Sequence, residues 1–226
     1  MSEIPALDDD AVLWSVPPDE RTAALRDRPL LVLLHGYGSH EGDLFGLVPY
    51  LPPEFVVAAV RAPLTPPFPA PGWSWFPIEG VQAAGQDAGG AVTAASEGLL
   101  DWLARVAPDA ESVGLLGFSQ GGAIALQTLR LAPERIAFAV VLAGFVADGE
   151  LPTDAALAAA RPPVFWGRGA RDEVIPAARV ARTTEWLPRF VELSGRVYPG
   201  LTHSVSEEEL GDVRAFLQKR LDDLAS

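Results

Sequence analysis

The sequence predicts an α/β protein built on a doubly wound, mostly parallel sheet. Short apolar runs recur along the chain, as expected of strands that are buried on both faces. They occupy residues 30–34, 55–60, 113–116, 138–142 and 164–166. Helix-forming segments at 88–106, 123–129, 176–187 and 206–224 follow or separate these runs. Strands that alternate with helices in this way are typical of a parallel sheet covered on both sides.

The two ends of the chain complete this picture. Residues 1–28 form an N-terminal extension or an edge strand, in which Val12, Trp14 and Val16 alternate with other residues before two prolines. The last helix begins with a capping box formed by Ser206 and Glu209. Its expected apolar stripe is Leu210, Val213, Leu217, Leu221 and Leu224. Because no repeat or linker divides the chain, we expect a single domain over residues 1–226.

Composition excludes several classes of function. The 226 residues are 49% apolar and carry a formal net charge of −13, which disfavours nucleic acid and anionic lipid as partners. There is no cysteine, and therefore no thiolate metal site or cysteine nucleophile. No apolar run is long enough to span a membrane, and the acidic N-terminus does not resemble a secretion signal. We therefore expect a cytoplasmic protein without stable membrane association.

One stretch carries a motif for nucleophilic catalysis. A short apolar strand ending near Leu116 runs into Gly117-Phe118-Ser119-Gln120-Gly121, and a helix-forming segment follows. In a strand-turn-helix context, G-x-S-x-G holds the serine on a sharp turn with its hydroxyl exposed above the sheet. The sequence therefore predicts Ser119 as the nucleophile.

A serine nucleophile needs a general base and an acid that orients the base. A last strand is predicted at 196–198, and His203 lies between it and the last helix, so it fits the chain order nucleophile, acid, histidine. Asp172 follows the strand at 164–166 and is the preferred acid, while Asp148 and Asp154 are weaker candidates. The alternative for Asp172 is a carboxylate that caps the following helix.

The negative oxygen of a tetrahedral intermediate needs fixed hydrogen-bond donors. One predicted donor is the backbone N–H of Gln120, the residue after the nucleophile. The other is the N–H of Tyr37, in the glycine-containing loop that follows the strand at 30–34. His35 begins this loop, and we expect it to organise the loop rather than take part in chemistry.

A proline-rich loop at 61–80 contains four aromatic residues, Phe68, Trp73, Trp75 and Phe76. We predict that they bind the acyl part of a substrate, although they can equally pack the loop onto the protein. Between residues 142 and 164 there is room only for a loop and a short helix. No large cap domain is therefore expected over the site.

Taken together, these motifs resemble the carboxylesterase/phospholipase family of α/β hydrolases, which includes the acyl-protein thioesterases. The resemblance extends from about residue 30 to 221 and rests on His35-Gly36-Tyr37-Gly38, Trp73-Ser74-Trp75-Phe76, Gly117–Ala123 and the segments around Asp172 and His203. It implies an α/β-hydrolase fold and a serine esterase that uses Ser119, Asp172 and His203 without a metal or cofactor. The sequence departs from the family pattern at Ser39, where aspartate is usual.

The predicted function is hydrolysis of short-to-medium acyl esters or thioesters through an acyl-enzyme. With an acidic chain, we expect neutral small molecules as substrates. Two alternatives stay open at this point. The same three residues can transfer the acyl group to an alcohol acceptor, or the fold can bind a ligand without turning it over.

Overall fold

The computed structural model describes residues 6–78 and 88–225 and contains a seven-stranded sheet. The strand order is β1-β3-β2-β4-β5-β6-β7, in which only β1 runs antiparallel to its neighbour. The strands are β1 Leu13–Trp14, β2 Leu30–Leu34, β3 Val56–Val60, β4 Val113–Phe118, β5 Phe138–Leu142, β6 Pro163–Gly169 and β7 Glu192–Tyr198. Every strand from β2 to β6 lies within a segment predicted as a strand or extends it by a few residues.

In the described part of the chain, seven α-helices connect and cover these strands. They are α1 Arg21–Asp27, α2 Glu41–Phe45, α3 Ala88–Val106, α4 Gln120–Leu131, α5 Asp154–Ala160, α6 Ala177–Phe190 and α7 Glu207–Leu224. Within the described ranges, no helix is both long and apolar enough to cross a bilayer. The segment between β5 and β6 holds only a loop and the short α5, so no large cap covers the sheet.

Two apolar cores flank the sheet, because successive residues of a strand point to opposite faces. In β2, Leu30, Val32 and Leu34 join the core beneath α1, α3, α4, α5 and α6. Leu31 and Leu33 join the smaller core beneath α2 and α7. All five residues of β2 are buried, which explains its continuous apolar run.

The last helix agrees with the prediction only in part. Ser206 caps it, accepting a hydrogen bond from the backbone N–H of Glu209 at 3.1 Å. The Glu209 carboxyl is buried against β6 and accepts no close hydrogen bond from the described residues. Burial raises its pKa, but the backbone N–H of Ser206 still acts on the carboxyl and opposes that rise, as the reciprocal half of a capping box would. Most of the predicted stripe faces the sheet: Val213 and Leu217 are buried and Leu221 packs against the core, whereas Leu224 is 53% exposed. Phe216, which is not part of the predicted stripe, is also buried.

Candidate active site

Ser119 lies between β4 and α4 in a backbone conformation that residues other than glycine rarely adopt. Its φ is 55° and its ψ is −114°, as a sharp turn from strand to helix requires. The Ser119 N–H donates to the carbonyl of Leu142 at the end of β5, at 2.8 Å. The turn therefore raises the hydroxyl above the carboxyl ends of the parallel strands.

The glycines on either side of Ser119 allow this turn. A Cβ atom at Gly117 would overlap the backbone of Gly121, and one at Gly121 would overlap the carbonyl oxygen of Leu34. Both obstacles are main-chain atoms, which cannot rotate away as a flexible side chain can. The spacing of the two glycines around the serine therefore follows from close packing of α4 against β4 and β2.

Ser119, His203 and Asp172 form a continuous hydrogen-bonded chain. The Nε2 atom of His203 is 3.0 Å from Ser119 Oγ, and its Nδ1 atom is 2.7 Å from Asp172 Oδ2. The side chain of Asp172 is 6% exposed and that of His203 is 16% exposed, so water reaches the imidazole but hardly the carboxylate. Asp148 and Asp154 instead form ion pairs with Arg182 and Arg130.

The orientation of Asp172 is fixed from its other oxygen. Asp172 Oδ1 accepts hydrogen bonds from the backbone N–H groups of Val174 and Ile175, at 2.9 and 3.1 Å. Oδ2 is then directed at His203 Nδ1, which favours the ring tautomer with the proton on Nδ1 and a lone pair on Nε2. The carboxylate thus shapes its own loop and orients the histidine. It does not cap α6, because its hydrogen bonds go to loop residues and the N-cap of α6, Pro176, has no side-chain hydrogen bond.

The two residues predicted to supply oxyanion donors, Tyr37 and Gln120, line the same cavity as Ser119. Gln120 is the first residue of α4, where amides have no partner within the helix and the helix dipole is positive. Tyr37 lies in the loop after β2 and lines the same cavity as Ser119 and Gln120. Within residues 6–78 and 88–225, neither amide donates to another group.

His35 and the loop at 61–78 hold these donors in place. His35 is buried, and its Nε2 accepts the N–H of Ala62 at 3.1 Å while Nδ1 lies 2.7 Å from the Gly36 carbonyl oxygen. Burial lowers the pKa of His35, which suits a neutral ring with one donor and one acceptor nitrogen. Trp75 Nε1 donates to the His35 carbonyl at 2.9 Å. His35 therefore organises the loop, as expected.

The side chain of Gln120 makes a second connection to the same loop. Its Oε1 accepts the N–H of Trp75 at 2.9 Å, and its Nε2 donates to the carbonyl of Phe76 at 2.7 Å. Gln120, whose N–H is one predicted oxyanion donor, is thus hydrogen-bonded to the same loop that supports the segment containing Tyr37, the other predicted donor. Sequence reasoning missed this role of the Gln120 amide, because it depends on how a distant loop folds back.

A cavity of about 360 Å³ opens next to Ser119 and His203. Its apolar lining comes from several elements and comprises Phe76, Ile78, Phe118, Phe145, Val174 and Ile175. Arg179, in the first turn of α6, also lines it. A larger groove of about 670 Å³ shares Ile175 and Pro176 with this cavity but contains neither Ser119 nor His203, so the smaller cavity is the candidate active site.

Of the four aromatic residues predicted to bind substrate, the structure brings only Phe76 to this cavity. Trp75 is fully buried behind it, Trp73 lies under the Arg61 guanidinium, and Phe68 is 97% exposed at the far end of the loop. Hydrogen bonds to the His35 and Ser39 loop draw Trp73 and Trp75 toward the body of the protein. Glu79 and Gly80, at the end of the predicted loop, lie outside the described residues.

Comparison with known proteins places this geometry in a family. A family model described as phospholipase/carboxylesterase matches residues 21–221. The chain belongs to the phospholipase/carboxylesterase family. The resemblance stated from the motifs is thus confirmed, and the match includes all three members of the Ser119, Asp172 and His203 chain.

Relatives within this family carry two kinds of name. A probable carboxylesterase of Oryza sativa subsp. japonica is 28% identical over 224 residues, which span 91% of this chain and 83% of that protein. Acyl-protein thioesterase 1 of Debaryomyces hansenii is 34% identical over 111 residues, 48% of this chain and 48% of the thioesterase. The thioesterase alignment therefore spans only about half of each protein.

A solved structure confirms the fold. The crystal structure of Zea mays acyl-protein thioesterase 2 matches with a TM-score of 0.76 at 22% identity, covering 93% of this chain and 98% of that one. At this identity the likeness concerns architecture. The chain has the α/β-hydrolase fold predicted from its alternating strands and helices.

Proposed function

We propose that this protein is a serine esterase that hydrolyses short-to-medium acyl esters or thioesters through an acyl-enzyme. The observation that carries the proposal is the unbroken hydrogen-bonded chain from Ser119 through His203 to Asp172. It opens into an apolar cavity beside two backbone donors. The names of the relatives, carboxylesterase and acyl-protein thioesterase, support the same reaction class.

In the first half of the proposed reaction, His203 Nε2 takes the proton from Ser119 Oγ as that oxygen attacks the substrate carbonyl carbon. The carbonyl oxygen becomes negative and accepts hydrogen bonds from the N–H groups of Tyr37 and Gln120. Asp172 stabilises the imidazolium through Nδ1 without taking its proton. When the tetrahedral intermediate collapses, Nε2 gives the proton to the departing alcohol or thiol, leaving an ester on Ser119.

The second half repeats these steps with water. His203 Nε2 removes a proton from a water molecule, whose oxygen attacks the acyl carbon held in the same oxyanion site. Collapse returns the proton to Ser119 Oγ and releases the carboxylic acid. Because no large cap covers the site, water has access to the acyl-enzyme, which favours hydrolysis over transfer to another acceptor. An intact triad geometry likewise favours turnover over simple ligand binding.

The first prediction identifies the nucleophile. A fluorophosphonate is expected to label Ser119 alone, and Ser119→Ala is expected to lose about 10³-fold or more in kcat on 4-nitrophenyl butyrate. Peptide mapping by mass spectrometry and a spectrophotometric assay measure the two effects. Ser194→Ala, in the edge strand β7, is the matched control and retains labelling and activity. Labelling of another residue, or activity that survives in Ser119→Ala, would disprove the proposal.

A further inference from the structure

The two edges of the sheet differ in length. The strand at one edge, β1, has two residues, whereas the strand at the other edge, β7, has seven. The pairs between β7 and β6 run in continuous register, so no bulge interrupts the edge strand. Within residues 6–78 and 88–225, no strand pairs with the outer side of β7. Proteins usually shorten, bend or cover such an edge, because its backbone groups can pair with another chain.

The backbone groups of alternate β7 residues are directed outward. The N–H of Glu192 donates to the Pro162 carbonyl at 3.1 Å, and the Tyr198 carbonyl accepts the N–H of Ala170 at 2.9 Å, so both ends of β7 bond toward β6 through even-numbered residues. Odd-numbered residues alternate with them and direct their N–H and C=O groups to the other side of the strand. These outward residues are Leu193, Gly195 and Val197.

Little side-chain bulk protects this outer side. Gly195 lies in the middle of the outward set and has no side chain. Its carbonyl accepts a hydrogen bond from the guanidinium of Arg196 at 2.9 Å, which agrees with a carbonyl directed away from β6. The Arg196 side chain is 53% exposed and flexible, so it can make room for a backbone donor. The outer side of β7 is therefore accessible to another strand.

Two opposite charges lie symmetrically on β7. Glu192 and Arg196 flank Ser194 on the side of the strand that faces α7, where they lie 3.9 Å from Lys219 and 3.6 Å from Asp212. If a second copy of β7 pairs antiparallel about a two-fold axis at Ser194, each Glu192 lies opposite Arg196 of the other copy. Directly opposed unlike charges stabilise a strand pair and like charges destabilise it. Registers centred on Glu192 or on Arg196 would oppose like charges, so the sequence favours the register centred on Ser194.

We propose that β7 is a dimerisation surface, at which two copies of this chain join their sheets edge to edge around Ser194. Across the axis, Leu193 of one copy and Gly195 of the other exchange both backbone hydrogen bonds. The interface is isologous, since each copy presents the same strand. The net charge of −13 opposes association at long range, but physiological salt screens it beyond about 8 Å.

The first experiment measures the mass of the full chain by sedimentation equilibrium at physiological ionic strength. We expect the wild-type protein to be a dimer at micromolar concentration. Glu192→Arg and Arg196→Glu each oppose like charges at two symmetric positions and should raise the dissociation constant by about tenfold or more. The double variant restores unlike pairs and the wild-type dissociation constant. Glu134→Arg, exposed between α4 and β5, is the control for the change in net charge and keeps the dimer.

The second experiment tests the register with a disulfide. The chain has no cysteine, so a single introduced cysteine reports only on itself. At a non-hydrogen-bonded antiparallel pair the two Cα atoms lie about 4.5 Å apart, which a disulfide can span. Ser194→Cys is therefore expected to form a disulfide-linked dimer under mild oxidation. The control is Val197→Cys, whose two copies would lie about 20 Å apart and stay unlinked.

Turnover of 4-nitrophenyl butyrate shows that each variant is folded, because none of the substituted residues belongs to the candidate active site. The inference is wrong if the wild-type protein is a monomer throughout the micromolar range. It is also wrong if the charge-reversed variants dimerise as tightly as the wild-type protein, since the dimer then uses another face. A dimer in which Ser194→Cys stays unlinked would contradict the proposed register and with it the proposed interface.

Discussion

At the scale of single residues, Glu209 is the most unusual side chain outside the candidate active site. It is 1% exposed, and neither carboxyl oxygen has a hydrogen-bond partner within the described residues. Burial, reinforced by the field of Asp212, raises its pKa to about 7. The Oε1 atom of Glu209 lies next to Gly167 of β6, so close that a Cβ atom on residue 167 would collide with it. A charged carboxylate at this position is therefore unfavourable.

The raised pKa makes the stability of the fold depend on pH. The ordinary pKa of a glutamate is 4.5 and that of folded Glu209 is about 7. Below pH 4.5 the carboxyl is protonated in both the folded and the unfolded chain, and its contribution to the free energy of unfolding is fully present. Between these values the unfolded chain loses the proton first, so the free energy of unfolding falls as pH rises. Above about pH 7 the carboxyl is ionised in both states, and the free energy of unfolding falls no further on its account.

Glu209→Gln is expected to remove this dependence, because glutamine has a similar shape and no charge. The variant should gain stability relative to the wild-type protein as pH rises from 5 to 8, by a few kcal/mol at most. Urea unfolding at both pH values measures the difference. Glu208→Gln, exposed one residue earlier in α7, is the control and shows no such change. If the free energies of unfolding of Glu209→Gln and the wild-type protein differ by the same amount at pH 5 and pH 8, the predicted titration is contradicted.

The sequence predicts single residues well where a local pattern constrains them. Ser119 is identified by its two glycines, and His203 and Asp172 by their positions after strands; the structure brings all three into contact. Glu209 follows a cap motif, but its carboxyl leaves the cap for a space beneath β6. That space exists only after α7 packs on the sheet, so no local pattern indicates it.

At the scale of elements, the loop at 61–78 supports the site and contributes Phe76 and Ile78 to the cavity wall. Trp73 pairs with Ser39, and Leu64 pairs with Ser74, in two short antiparallel bridges. Trp75 contributes its side-chain donor to His35 and its backbone donor to Gln120. The loop is thus hydrogen-bonded to both segments that present the predicted oxyanion donors.

Trp75→Phe tests this support by removing the indole N–H together with part of a fully buried ring, so a packing loss adds to the lost hydrogen bond. Phenylalanine lacks the indole N–H, so the buried His35 carbonyl loses its donor, which costs about 1–3 kcal/mol of folding stability. We also expect a lower kcat, because the oxyanion donors are less firmly placed. Denaturant unfolding and steady-state kinetics measure both effects. Trp73→Phe, half-buried in the same loop, is the control. If Trp75→Phe matches the wild-type protein in both respects, the loop has no supporting role.

Elements were predictable in proportion to the apolar surface they bury. The strands β2, β3 and β5 bury every residue, so their apolar runs are unmistakable in the sequence. The helices α1 and α2 were not predicted, and each buries a single leucine, Leu25 and Leu44. With one anchoring residue, neither helix has an apolar periodicity that a sequence can display. Their helical form depends on packing at the edge of the sheet.

At the scale of the whole molecule, the absence of a cap and the overall charge set limits on the substrate. The described part of the cavity measures about 360 Å³, and its apolar lining includes side chains such as Phe76, Ile78 and Phe145. An acyl chain gains about 0.8 kcal/mol for each methylene it buries, and nothing further once it extends into water. The charge of −13 disfavours docking on anionic membranes.

We therefore expect kcat/KM to rise along a series of neutral 4-nitrophenyl esters and to level off at medium chain length. Each buried methylene should raise it by up to about fourfold. The assay covers chains of about two to sixteen carbons, with and without vesicles of anionic lipid. Ile78→Ala removes part of the lining and should lower the rise, whereas Val197→Ala, exposed on β7, should not. A rate that still climbs with the longest chain, or strong activation by the vesicles, would show that the substrate binds beyond this cavity.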